Sequence, residues 1–392
     1  MAGPQRPDLS TEFVPPTDPV VRELCILCSE LLKLDEIGAT DDFLELGADS
    51  LLILRMINRV QARFGTRLTL REAFQERNRL GATPAPNRGV SVPLPIAVLP
   101  GRTPQQLVTA ISEAGGRLVA VDRAEGLIWL GERASELGGV LSGAPTVRWV
   151  QLAGVGVESY LPLMDAGRQW TCARGVYGQP VAEHALLLAL ACLRGATVSA
   201  RARAWWPQPA ISLAGAEVVI VGGGSIARAL LRLLEPFQVR ATVVRRTDTP
   251  IPDLTVSPVE AIDQVLPRAR VVFLAAPLTA STNGLIDLRR LWSMRSDACL
   301  VNVSRGQLIV TEDLVHALRN NWIAGAGLDV THPEPLPQGH PLWDLPNCLI
   351  TAHSAGDLER SMNAFVDLVR RNVRRLVDGL QPHGLVDLDA GY

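Results

Sequence analysis

Val218-Val219-Ile220-Val221-Gly222-Gly223-Gly224-Ser225-Ile226-Ala227-Arg228-Ala229-Leu230-Leu231-Arg232-Leu233-Leu234 decides the fold. Four consecutive β-branched residues read as a strand buried on both faces, the kind found in parallel sheets covered by helices. Gly222, Gly224 and Ala227 follow at G-x-G-x-x-A spacing, and Ala229, Leu230, Leu233 and Leu234 then recur at helical period. Strand, glycine turn and helix form the context in which this spacing holds a dinucleotide. Gly222 permits a tight turn, Gly224 lets the backbone approach a pyrophosphate, and the helix start offers unpaired N–H groups to the anion. The plain alternative is a glycine-rich turn.

Outward from this motif, short apolar runs alternate with helical patterns, the signature of an α/β fold with parallel sheets. One sheet is expected from 96–99, 118–121, 126–130 and 147–152, and a second from 217–221, 240–244, 271–274, 299–303, 324–328 and 349–351. A long apolar helix over 183–193 bridges them. Residues 81–95 hold Pro84, Pro86, Pro93 and Pro95 and read as an extended linker. Upstream the pattern is purely helical. Asp18-Pro19 is a helix start, followed by Val21, Leu24, Cys25, Cys28, Leu31 and Leu32 on one face; Leu51, Leu54, Ile57 and Val60 mark a second helix, and 70–79 a third segment. Three or four helices here predict a small all-α bundle.

Composition narrows the function. The 392 residues suit two or three domains. A net charge of −2 without a long Lys/Arg run argues against nucleic acid. The longest apolar run, 185–192, is too short to span a membrane, and residues 1–11 carry no signal pattern, so no membrane partner and a cytoplasmic location are expected. Six cysteines in so long a chain fit a reducing compartment; Cys25 and Cys28 lie on an apolar helix face and are read as packing, with no metal site expected.

The strand that should read the cofactor ribose ends in Arg245-Arg246-Thr247 where a site for NAD(H) would place an acid. Two guanidinium groups and a hydroxyl suit a 2′-phosphate, so NADP(H) is preferred over NAD(H). The alternative is two solvated surface arginines. Further on, Asn302-Val303-Ser304-Arg305-Gly306, Leu328-Asp329-Val330-Thr331-His332-Pro333-Glu334-Pro335 and Thr351-Ala352-His353-Ser354-Ala355-Gly356 each follow an expected strand, and all three could converge at the carboxyl edge of one sheet.

With these motifs, and with Ala276-Pro277-Leu278-Thr279 and Pro341-Leu342-Trp343, residues 95–392 resemble the D-2-hydroxyacid dehydrogenase family. The resemblance implies a flavodoxin-like substrate domain (95–182 and 354–392) with an inserted Rossmann dinucleotide-binding domain (183–353), a cleft between them, and a homodimer through the 183 helix region. It gives Arg305 the substrate carboxylate and 2-oxo group, His353 the role of general acid and base, and Glu334 the orientation of that imidazole. It places Ser225, Ile226, Pro277 and Asp329 with Gly222 and Gly224 at the cofactor, and the N–H groups of Val155 and Gly156 in Gly154-Val155-Gly156-Val157-Glu158 at the substrate carboxylate. The chain departs from the family pattern at Ala227, Ser225, Glu158, His332 and Ala352. These departures bear on substrate identity.

Residues 16–80 resemble acyl or peptidyl carrier proteins through Asp42-Phe43-Leu44-Glu45-Leu46-Gly47-Ala48-Asp49-Ser50-Leu51 and the helix after it. That resemblance implies 4′-phosphopantetheine on Ser50, attached by a phosphopantetheinyl transferase, and a loading or condensing enzyme as partner. From Glu36 to Ser50 the acids Glu36, Asp41, Asp42, Glu45 and Asp49 occur with no Lys or Arg, a surface suited to basic partners. The leading expectation is an NADP(H)-dependent 2-oxoacid reductase acting on a carrier-tethered acyl group in a nonribosomal peptide or polyketide route. Two alternatives stay open: oxidation of a free 2-hydroxy acid with the carrier serving another enzyme, and a non-catalytic carrier scaffold.

Overall fold

The computed structural model describes residues 93–205, 207, 210–246 and 255–392, with scattered positions between 15 and 37. Contacts divide the chain into Met1–Ser91 and Val92–Tyr392. In the first unit, Arg22, Cys25, Ile26, Ser29, Glu30 and Leu32 are helical, with Cys25 buried and Arg22 and Glu30 exposed, as an amphipathic helix requires. The expected bundle beyond it, Ser50 included, lies outside the described residues.

In the second unit the chain builds two parallel sheets in turn. The first joins β1 (Leu94–Leu99), β2 (Gly116–Leu118), β3 (Gly126–Trp129), β4 (Trp149–Leu152) and β5 (Gln169–Thr171) in the order β2-β1-β3-β4-β5, the flavodoxin-like arrangement. Alternate side chains serve opposite faces. Ile96, Val98 and Ile128 pack with Leu107 and Ile111 of α1 (Gln105–Glu113), whereas Leu127, Trp129 and Val150 pack with Leu137 of α2 (Ala134–Ser142).

From β5 the chain enters α3 (Gly178–Leu193) and α4 (Ala196–Arg201), then β6 (Glu217–Val221), α5 (Ser225–Leu234), β7 (Arg240–Arg245), β8 (Thr255–Pro258), α6 (Ile262–Val265) and β9 (Val271–Leu274). It continues through α7 (Leu288–Ser293), β10 (Cys299–Asn302), α8 (Thr311–Arg319), β11 (Gly325–Leu328) and β12 (Cys348–Ile350) to α9 (Leu358–Val377). The seven strands lie in the order β12-β11-β10-β9-β6-β7-β8. The order turns back at β6, which pairs with both β7 and β9, so a crevice opens at the carboxyl end of β6. Val219, Leu274 and Leu300 fill one face of this sheet and Ile220, Phe273 and Val301 the other.

Helix α9 returns to the first sheet, where Phe365, Val369 and Val373 join Ile96 and Ile111. Its buried Asn372 donates to Gln151 Oε1 (2.8 Å) and the His383 carbonyl (3.0 Å) and accepts from the His383 N–H (2.7 Å), tying helix, sheet and C-terminal segment together.

Three features differ from the sequence expectation. β5 and β8 have no counterpart in it, because both are short edge strands and Thr255–Pro258 ends in a proline that cannot donate to a ladder. The strand expected over 118–121 stops at the half-exposed edge residue Leu118 and turns at Val121–Arg123. Helix α3 begins at Gly178, ahead of 183, because Pro180 is tolerated in a first turn. A side chain at Gly178 would stand 2.9 Å from Ser225 Cβ, so this glycine lets α3 and α5 approach closely.

Candidate active site

The glycine turn is built as the motif requires. Gly222 has φ +114°, and a Cβ there would overlap the Ala275 carbonyl at the β9 end of the crevice. Its N–H donates to the Val244 carbonyl at 2.7 Å. Around Gly224, just before α5, no atom comes within 4 Å of where a Cβ would stand, so the approach to the helix start is open. An open glycine beside a ten-residue helix N-terminus fits a pyrophosphate. Arg245 lies across this turn with Cδ 3.1 Å from the Gly223 Cβ position. The Arg246 guanidinium sits 5.2 Å above the Tyr392 ring and 3.9 Å from Asp387. Thr247 lies outside the described residues. Ile226 is half-buried against the core between α3 and the sheet, Ser225 packs on Gly178, and Pro277 is exposed with its carbonyl accepting from Thr282 Oγ1 at 2.7 Å.

At the carboxyl ends of β11 and β12, the His353 Nδ1 and Glu334 Oε1 stand 2.6 Å apart, the ring N–H donating to the carboxylate. This leaves Nε2 as the position for proton exchange. His353 is 54% exposed and sits at φ +49°, a left-handed conformation that a non-glycine residue adopts only when its surroundings enforce it. The enforcement is visible. Asp329, 2% exposed at the end of β11, accepts from Thr351 Oγ1 (2.6 Å), the Ser354 N–H (2.9 Å) and the Ala355 N–H (3.1 Å), and its carbonyl accepts from the His353 N–H (2.8 Å). His184 of α3 adds Nε2 at 2.8 Å from Thr351 Oγ1 and 3.4 Å from Asp329 Oδ1. The sequence places Asp329 at the cofactor; in the structure both its oxygens also hold the loop that carries His353.

Arg305 follows β10, where Asn302 accepts from the Ser304 N–H and hydroxyl and donates to the Arg305 carbonyl at 2.9 Å, fixing the turn. Its Nη1 donates to the Ser304 carbonyl at 2.7 Å, and its Nε lies 3.2 Å from Glu158 Oε1 in the loop after β4. A Cβ at Gly156 would overlap Arg305 Nη2, so the glycine admits the guanidinium against the 154–158 loop, beside half-exposed Val155. The two sheets thus meet at Arg305. Sequence reasoning missed His184 and the clamp role of Asp329; the histidine stands 167 residues from its partner, and no local spacing reports that pairing.

The family model for "D-isomer specific 2-hydroxyacid dehydrogenase, NAD binding domain" matches residues 184–355. An uncharacterized protein of Corynebacterium melassecola is 36% identical over 256 residues, covering 63% of this chain and 84% of the relative. The glyoxylate reductase of Thermofilum pendens is 31% identical over 265 residues, covering 63% and 77%. This chain belongs to the D-2-hydroxyacid dehydrogenase family. It is thereby a member of a family of NAD(P)-dependent oxidoreductases. A crystal structure of a Thermus thermophilus protein superposes with TM-score 0.61 at 30% identity, over 75% of this chain and all of that one. An NADPH-dependent glyoxylate/hydroxypyruvate reductase of Sinorhizobium meliloti, solved with NADP and malonate, gives TM-score 0.62 at 25% identity over 76% and 98%. At the other end, the model for "Phosphopantetheine attachment site" matches residues 22–81. The dehydrogenase thus carries a phosphopantetheine-attachment domain in the same chain. Among the described residues no helix is long and apolar enough to cross a membrane.

Proposed function

We propose that the chain is an NADP(H)-dependent 2-oxoacid reductase, a D-2-hydroxyacid dehydrogenase in the reverse direction, whose substrate is an acyl group tethered through 4′-phosphopantetheine on Ser50. The observation that carries the reading is the His353–Glu334 pair at 2.6 Å, held at the same sheet edge as an open glycine turn, in a chain that also matches a phosphopantetheine-attachment domain. Reduced nicotinamide supplies the hydride. Arg305 polarises the ketone oxygen, and His353 delivers the proton to that oxygen from Nε2 while Glu334 receives the Nδ1–H and stabilises the imidazolium. Asp329 and His184 hold the loop so that this proton lies at a fixed place. Val155 and Gly156 present backbone N–H groups to the acyl end. The natural setting is a cytoplasmic nonribosomal peptide or polyketide pathway, with a phosphopantetheinyl transferase and a loading or condensing enzyme as partners. A second copy would pair across α3, where Leu187 is 56% exposed.

Intact-protein mass spectrometry tests the tether directly. Treatment with a phosphopantetheinyl transferase and coenzyme A should add one phosphopantetheine to the wild type and none to Ser50→Ala. The holo protein, loaded with a 2-oxoacyl group, should then gain two hydrogens on adding NADPH; an unchanged mass would remove reduction in cis.

Cofactor choice is tested separately. Arg245 and Arg246 should grip the 2′-phosphate, so the double change to alanine is expected to weaken NADPH binding by about tenfold to a hundredfold, the worth of one or two charge-assisted hydrogen bonds. NADH affinity should stay within about twofold on the same reasoning. Equal losses for both cofactors in a fluorescence titration would refute the assignment.

A further inference from the structure

We propose that Tyr392 belongs to the cofactor site: its ring holds the Arg246 guanidinium in position for the 2′-phosphate of NADP(H), so cofactor choice depends on a residue from the substrate half of the chain. The inference rests on the NADP(H) reading and adds a positioning residue to it. Arg246 stands just past β7, in the nucleotide half. Tyr392 reaches it from the other half. After α9 the chain runs back antiparallel along the edge strand β5, where the Val386 N–H donates to the Trp170 carbonyl and the Cys172 N–H to the Gly384 carbonyl, both at 2.9 Å. Gly384 permits this approach with φ +76°, since a Cβ there would stand 2.6 Å from the Cys172 carbonyl oxygen. Beyond this anchor, residues 387–392 close into a loop. The Asp387 carbonyl accepts from the Gly391 N–H at 2.8 Å, its N–H donates to the Tyr392 carbonyl at 3.0 Å, and its Oδ1 accepts from the Ala390 N–H at 3.0 Å. The ring of Tyr392 is therefore presented from a fixed backbone.

The kind of contact matters. The Arg246 guanidinium carbon lies 5.2 Å from the ring centroid, within the range of a cation–π contact. Asp387 Oδ2 comes only to 3.9 Å from Nη2, beyond hydrogen-bond distance. A ring draws the cation through its quadrupole and, unlike a carboxylate, does not compete with phosphate for the N–H groups. Arg246 is 61% exposed, so without the ring its long stem would sample many rotamers that phosphate binding would have to freeze. The stack removes part of that cost beforehand. Arg174, in the loop after β5, lies 5.9 Å from the same ring. Two guanidinium groups, one from each half, thus gather at Tyr392 beside the carboxylate of Asp387, and the spot stays positive. A phosphate gains from that charge, whereas a ribose 2′-hydroxyl does not.

Adenosine 2′,5′-bisphosphate and 5′-AMP differ only in the 2′-phosphate, so they report on this spot without turnover. Calorimetric titration of the full chain should show wild type binding the bisphosphate at least about tenfold more tightly. Tyr392→Leu keeps bulk but loses the ring, and it should weaken the bisphosphate by about fivefold while 5′-AMP moves by less than about twofold. Tyr392→Phe keeps the ring and should restore wild-type binding to within about twofold. Asp387→Asn keeps an acceptor for the Ala390 N–H but removes a charge that opposes phosphate, and it should tighten the bisphosphate by about threefold. Kinetics should follow: in Tyr392→Leu the KM for NADPH rises by the factor seen for the bisphosphate, with kcat and the KM for NADH unchanged. A leucine variant that keeps the wild-type preference, or that weakens both nucleotides equally, overturns the proposal and leaves the NADP(H) reading in place. An asparagine variant that weakens the bisphosphate does the same, since the carboxylate and not the ring would then hold Arg246. Wild type that binds the two nucleotides alike removes the NADP(H) reading and the proposal with it.

Discussion

Replacing His353 with glutamine should lower kcat for 2-oxo reduction by about a thousandfold, the usual worth of a positioned general acid, while NADPH affinity changes by less than about twofold. Glutamine can still hydrogen-bond but cannot give up a proton at the ketone oxygen. The ring has been prepared for that single task. Its Nδ1–H is held by Glu334 at 2.6 Å, its backbone is locked at φ +49°, and the clamp on Asp329 fixes residues 351–355 beneath it. Glu334→Gln keeps a partner for the ring but removes the charge that stabilises the imidazolium, so a smaller loss of about a hundredfold is expected. Single-turnover measurements with NADPH bound would separate chemistry from binding. A His353→Gln protein that reduces substrate at close to the wild-type rate would require another proton donor and sink the assignment.

The central strands are legible in the sequence because they are buried on both faces and so read as unbroken apolar runs, as Val218 to Val221 and Val271 to Leu274 show. The edge strands are not. Gln169–Thr171 and Thr255–Pro258 each pair with one strand of their sheet, the former bridged on its other side only by the distant 384–386 segment, and runs of three and four residues are too short to display a pattern in sequence. The site shows the same division. Gly222, Arg305, Glu334 and His353 announce themselves because each occupies a motif at a strand end. Asp329 reads as a cofactor residue by position; its partners depend on how the loop after β12 folds over the end of β11, a tertiary fact. The Glu158–Arg305 pair joins loops from two different sheets, and nothing local to either loop reports it.

Gly306→Ala should be the most damaging single-methyl change near the site. Gly306 directly follows Arg305, and a Cβ there would overlap the Thr331 carbonyl and come within 2.6 Å of the His332 nitrogen. Both are backbone, so neither can rotate aside. The segment is also pinned, since Thr311 Oγ1 donates to the His332 carbonyl at 2.6 Å and Thr331 Oγ1 to the Pro333 carbonyl at 2.9 Å. The methyl must therefore push apart the two stretches that carry Arg305 and Glu334. A displacement on the order of 1 Å costs about a hundredfold in a reaction that depends on alignment, and forced overpacking costs about 1–3 kcal/mol in stability. Gly139→Ala is the matched control. Gly139 lies inside α2 with open space where its Cβ would go, and a helical glycine there gives up about 0.5–1 kcal/mol relative to alanine. The same substitution should thus stabilise at 139, with unchanged turnover, and destabilise at 306, with turnover lost. Urea midpoints and kcat/KM for both variants decide it; a Gly306→Ala protein with wild-type values for both would mean that the 306 and 331 backbones are not in the contact described.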